Sequence, residues 1–122
     1  MMTPEQRELD RRVAKDVMGW RHVTATGVTG HPFCWYETDQ GEHVRAAKAW
    51  HPSTDIAQAW EVAEVMRADG WEWWISRAPG KPASAIFARP NGEPEDVYSA
   101  MAETVPKAIC RAALAAAREE TP

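Results

Sequence analysis

The stretch that most constrains this chain is Ser53 to Trp74, "STDIAQAWEVAEVMRADGWEWW". It opens with three consecutive residues that favour a helix N-cap, Ser53, Thr54 and Asp55. Ile56, Ala59, Trp60, Ala63 and Met66 then recur at helical spacing, and Val62 and Val65 widen the stripe. Such a helix is expected to be buried over much of its girth. Gly70 stops it, and "WEWWISR" follows as a strand with Trp71, Trp73 and Ile75 on one face and Glu72, Trp74 and Ser76 on the other. An indole buries about 150–250 Å², so Trp60, Trp71 and Trp73 are expected to supply much of a small core. Trp74 is left over. It covers a second helical layer, seals a subunit interface, or stacks on a flat ligand.

The remaining elements follow from local signals. Thr3, Pro4 and Gln6 form a helix start with a capping box. Leu9, Val13 and Val17, with Ala14 and Met18, make its apolar stripe, and Gly19 closes it before Trp20. Residues 21 to 32 are turn-rich and read as loop. "FCWYET" and "EHVRAAKAW" read as two strands joined by Asp39-Gln40-Gly41, and His51-Pro52 breaks the second. "SAIFAR" is a strand between the turns "APGKPA" and "PNGEPED", while "VYSAMA" is either a strand or a helical lead-in. Thr104 and Pro106 open a last helix whose Ala108, Ile109, Ala112 and Ala113 recur through to Ala117. Small alanines let that helix lie close against a sheet. The expected architecture is a single α+β domain over residues 1–122, a mainly antiparallel sheet of about 4–5 strands layered with helices.

Charge and composition exclude several classes. A net charge of −4 argues against a coat for long nucleic acid, which needs a positive surface. No apolar run approaches the roughly 18 residues of a membrane span, and the polar start "MMTPEQRELDRR" is no secretory signal. The expected location is therefore the cytoplasm, where Cys34 and Cys110 are expected to stay reduced. Arginines outnumber lysines ten to four beside 21 alanines, a bias that a GC-rich genome explains. It leaves single arginines open as phosphate ligands.

Three segments carry a family resemblance: "VMGW" at 17–20, "PSTDIAQAWEV" at 52–62 and "TVPKAICRAALAAA" at 104–117. In this order they resemble the phage ABA sandwich domain family, small proteins of phages and prophages named for a sheet layered between helices. The loop at 21–32 and the tryptophan-rich "GWEWW" depart from that pattern. The resemblance implies a layered fold, a phage origin and residence in the cytoplasm of the infected host. It implies no reaction.

Catalytic motifs are missing from the sequence. His22, His31, His43 and His51 are scattered without metal-ligand spacing, so neither metal nor cofactor is expected. Cys34 and Cys110 sit among apolar neighbours, where a thiol serves as filler. Glu61, Glu64 and Asp55 read as a solvated helix face and a cap rather than an acid/base set. The expectation is a non-enzymatic binding protein, a symmetric homo-oligomer that takes a small nucleotide ligand of the kind phages sequester to blunt host immune signalling. Its candidate ligand-binding residues are Trp50, His51, Ser53, Thr54, Trp74, Arg77 and Arg111: aromatics to stack on a base, arginines to hold phosphate. The rival reading is a module that binds a host or phage protein through an aromatic patch.

Overall fold

A computed structural model of the chain describes residues 3–28, 30–90 and 96–120. The expected turn "PNGEPED" lies mostly outside them. Helix α1 (Pro4–Asp16) starts as its sequence dictates. The Thr3 hydroxyl accepts the Gln6 N–H, and the Gln6 side chain accepts the Thr3 N–H. Its end turns back through Gly19 at φ +73°, where the Trp20 N–H donates to the Ala14 carbonyl at 2.9 Å. Three strands follow: β1 (Arg21–Thr26), β2 (Pro32–Glu37) and β3 (His43–Ala46). Helix α2 (Ile56–Ala68) separates them from β4 (Glu72–Ser76), β5 (Ala83–Ala88) and β6 (Val97–Ala102), and α3 (Val105–Glu120) ends the fold.

Two expectations about the strands are corrected. Residues 21 to 26 are not loop: β1 pairs antiparallel with β2, Val23 opposite Trp35 and Ala25 opposite Phe33. Val23 and Ala25 are the half-buried members of an otherwise polar strand, so its alternation in sequence is faint. Nor is there one sheet of four to five strands. The six described strands form two antiparallel sheets, ordered β1-β2-β3 and β4-β5-β6. Beyond Ala46 the chain leaves the ladder in a 3-10 turn, Ala47–Ala49, and α2 comes between the two triplets.

Helix α3 organises the layers. It packs on β5 and β6 and also against α1 and α2. Ala108, Ala112, Ala113 and Ala116 are fully buried, as are Ala83 and Ala85 on the sheet, so backbones meet with little side chain between them. Trp71 and Phe87 fill the wider space. The core side of α2 is Ala59, Val62, Ala63 and Met66. Trp60, expected at its centre, is instead 48% exposed and meets Trp73 edge-on at 4.8 Å. Small residues win the contact with α3, and the indole is displaced to the flank.

The segment between β3 and α2 is clamped from both sides. The Trp50 indole is 3% exposed and donates through Nε1 to the Asp10 carbonyl at 3.0 Å. The Ser53 N–H donates to Asp10 Oδ1 at 2.8 Å. Gln58 accepts the His51 N–H and donates to the Ala49 carbonyl, while Asp55 caps α2 by accepting the Gln58 N–H at 3.0 Å. Burial pushes the Asp10 carboxyl above its usual range, against the pull of the Ser53 N–H. The folded state therefore holds an extra proton between the unfolded and folded values. That contribution to stability is complete below the unfolded value and is lost as pH rises through the folded one.

Four substitutions test this packing by urea titration. Phe87→Ala removes a fully buried ring and is expected to cost about 3–5 kcal/mol; Trp60→Ala should cost clearly less. Asp10→Ala leaves the Ser53 N–H without its acceptor and should cost about 1–3 kcal/mol. Asp10→Asn keeps an acceptor without the charge, so it should abolish the decline with pH and be at least as stable as the parent at pH 7. An Asp10→Ala protein as stable as the parent would show that the clamp is idle.

Candidate functional site

The seven residues singled out by sequence fall in three places. Trp50 and Ser53 are interior, 3% and 1% exposed, and cannot meet a ligand. The His51 carbonyl accepts the N–H groups of Thr54 and Asp55, both at 3.1 Å, and the Thr54 hydroxyl at 3.2 Å, so these residues close the turn before α2. Arg77 and Arg111 meet at the end of β6, donating to the carbonyls of Glu103 and Met101 at 3.3 and 3.2 Å. Trp74 stands apart on the outer face of β4, opposite Ile86 of β5, and is 52% exposed. At that exposure it is not sealed beneath a helix of the described residues, which removes the reading of a second helical layer. The acids of α2 are engaged as surface partners, Glu61 with Arg45 at 3.2 Å and Glu64 with Arg67 at 2.9 Å. Burial raises the Cys110 thiol far above its ordinary value, so it carries no nucleophilic thiolate.

A different set of residues converges. An open cleft of about 600 Å³ is lined by Glu8, Arg11, Arg12, Lys15 and Asp16 of α1, Trp20 beyond it, Arg21 and His22 of β1, Tyr36 of β2, and Arg118 of α3. Its wall is aromatic: the Trp20 and Tyr36 rings lie 5.9 Å apart, and His22 meets Tyr36 edge-on at 5.5 Å. Trp20 is braced from behind by Trp50 at 4.7 Å and by the Arg45 guanidinium, 5.7 Å from its ring. The clamp on Trp50 thus also fixes the aromatic wall.

The rim is cationic, five basic side chains against two carboxylates. Arg11 and Arg12 both pair with Glu8, at 3.1 and 3.0 Å, in exposed contacts one turn apart. Such pairs contribute little and yield to a better anion. Arg21 is held by Glu37 at 3.0 Å, and that carboxylate, also bonded by the Trp35 indole, sits below its usual range. Among the described residues neither Lys15 nor Arg118 has an ion-pair partner. Lys15 and Arg118 lie in the last turns of α1 and α3, where the helix dipole favours cations. Burial holds the Tyr36 phenol above its ordinary value while the nearby Arg11 charge pulls it down, so it remains a protonated donor. This arrangement can stack a ring and hold an anion, and its volume is that of a small-molecule site. Sequence reasoning missed it, although Arg11 and Lys15 are spaced i, i+4 and "WRH" follows at 20–22.

The chain is similar in structure to a phage protein from Bacillus cereus ATCC 14579, with a TM-score of 0.66 and 22% identity over 97% of this chain and 90% of that one. At that identity the likeness is one of fold. No curated protein matches. The model of the phage ABA sandwich domain matches residues 11–114, a span that includes Arg11, Arg12 and Lys15 of α1 and most of α3. The chain belongs to the phage ABA sandwich domain family.

Proposed function

We propose that this protein is a non-enzymatic binder whose cleft takes a small phosphorylated molecule bearing a flat ring, of the nucleotide class. The observation that carries the reading is the meeting of five cations with the Trp20, His22 and Tyr36 rings around one 600 Å³ cleft. Phosphate oxygens engage Lys15 and Arg118 first and compete Arg11 and Arg12 away from Glu8. The ring lies against Trp20 and His22, both of which pack on the largely buried Tyr36. The use of such a site, in this reading, is to withhold a nucleotide-type immune signal in the cytoplasm of the infected host. Among the described residues no helix is long and apolar enough to cross a membrane, which accords with that setting. The second reading, a protein-interaction module, is favoured by the uncovered outer face of β4-β5-β6, where Trp74, Val97 and Met101 are each more than half exposed.

Thermal-shift and calorimetric titration with nucleoside mono-, di- and cyclic phosphates, each beside its unphosphorylated nucleoside, decides between the two readings. A ligand at a hundred times its Kd should add about 2.7 kcal/mol of stability, and the nucleosides should add almost none. Lys15→Ala and Arg118→Ala are each expected to weaken binding about tenfold without lowering the melting temperature. Arg77→Ala and Arg111→Ala should bind like the parent. No shift with any phosphorylated compound would transfer the function to the outer sheet face.

A further inference from the structure

The two outer strands of β4-β5-β6 are treated differently by the fold. On β6 the outward Met101 carbonyl is taken by Arg111, and α3 begins three residues beyond the strand. Among the described residues β4 pairs only with β5, and no strand is paired to its other edge. Exposed edges are ordinarily blunted by lysine, proline, a bulge or brevity. β4 has none of these: "EWWIS" is five residues long, regular in register with β5, and charged only at Glu72. Its side chains are also unfinished. Trp74 is 52% exposed on the outer face and Ile75 43% exposed on the inner face. Beside them, α2 presents Ile56 and Trp60, each about half exposed. An edge with free hydrogen-bonding groups and apolar side chains above and below is shaped for another strand.

We infer that the occupant is a second copy of this chain, paired antiparallel through β4 about a two-fold axis at Trp74. The strand is complementary to itself in that register. Trp74 faces Trp74 of the other copy on the outer side, and Trp73 faces Ile75 on the inner side. Glu72 meets Ser76, so the strand's one charge avoids its like. A slip of one residue turns every side chain of the second copy to the wrong face. A slip that centres on Ile75 sets Trp73 against Arg77. The pairing makes one continuous six-stranded sheet and brings the exposed flanks of the two α2 helices together over the join. Trp74 and Ile75 of β4 with Ile56 and Trp60 of α2, each about half exposed, supply together with the strand edge on the order of half of the roughly 800 Å² per partner that stable dimers bury. The inference does not depend on the cleft, whose lining comes from α1, β1, β2 and α3.

Light scattering on the wild-type protein at tens of micromolar should give twice the 13.7 kDa of one chain. Ile75→Lys should give the single-chain mass with a cooperative melt preserved. Register is read by cysteine cross-linking under mild oxidation. Trp74→Cys should link to itself, whereas Trp73→Cys and Ile75→Cys should link only when the two variants are mixed. A wild-type mass of one chain overturns the inference. So does a dimer that survives Ile75→Lys, or cross-linking of Trp73→Cys to itself in place of the mixed pair.

Discussion

The close approach of α3 to the β5-β6 ladder is the contact on which the rest of the molecule depends. Both sides bring buried alanines to this core, Ala108, Ala112, Ala113 and Ala116 from α3 and Ala83, Ala85 and Ala102 from the sheet. Small side chains bury little area each, so the contact stabilises through proximity: backbone-near atoms gain dispersion contacts that larger residues would hold apart. It leaves the opposite side of α3 free to receive α1 and α2. One larger residue on either alanine row would push helix and sheet apart and disturb all three neighbours.

Two consequences at the periphery follow from that central helix. Because α3 rests on β5 and β6, β4 overhangs, covered on its inner face mainly by the Trp60–Trp73 contact with α2. Because α1 and α3 pack together, Arg118 joins Arg11, Arg12 and Lys15 around a single opening. The open edge and the cationic cleft are therefore products of one packing decision, expressed in different parts of the fold.

Much of the fold was legible because local chemistry spoke for it. Thr3-Pro4-Gln6, Asp55, Gly19 and Gly70 mark ends by mechanisms that need no tertiary context, and the α3 alanines declared a close-packed face. What failed did so for identifiable reasons. On α2, Ile56-Trp60-Ala63 and Ala59-Val62-Met66 are overlapping stripes, and only the packing of α2 against α3 decides that the indole lies outside. β1 has two half-buried residues, Val23 and Ala25, and owes its existence to hydrogen bonds with β2. Ser53 of the cap-like triplet at 53–55 is a candidate ligand contact by sequence, but Asp55 is the cap and the Ser53 N–H is bound to Asp10. The cleft was hidden because its residues come from four elements that no spacing rule connects.

The charge distribution bears on what such a cleft can hold. The chain carries 18 acidic and 14 basic residues, yet five of the cations and only two of the acids line one opening. The rest of the chain holds 16 acidic against nine basic residues, and the field of the basic rim falls off within about a Debye length, some 8 Å at physiological ionic strength. A long nucleic acid lying across the cleft would have to run over that acidic remainder, losing there what it gains from neutralised phosphates. A compact anion avoids this cost by fitting wholly inside the basic rim. On the proposed reading the same contrast steers small anions towards the opening and polymers away from it, which suits a free phosphorylated small molecule better than DNA or RNA.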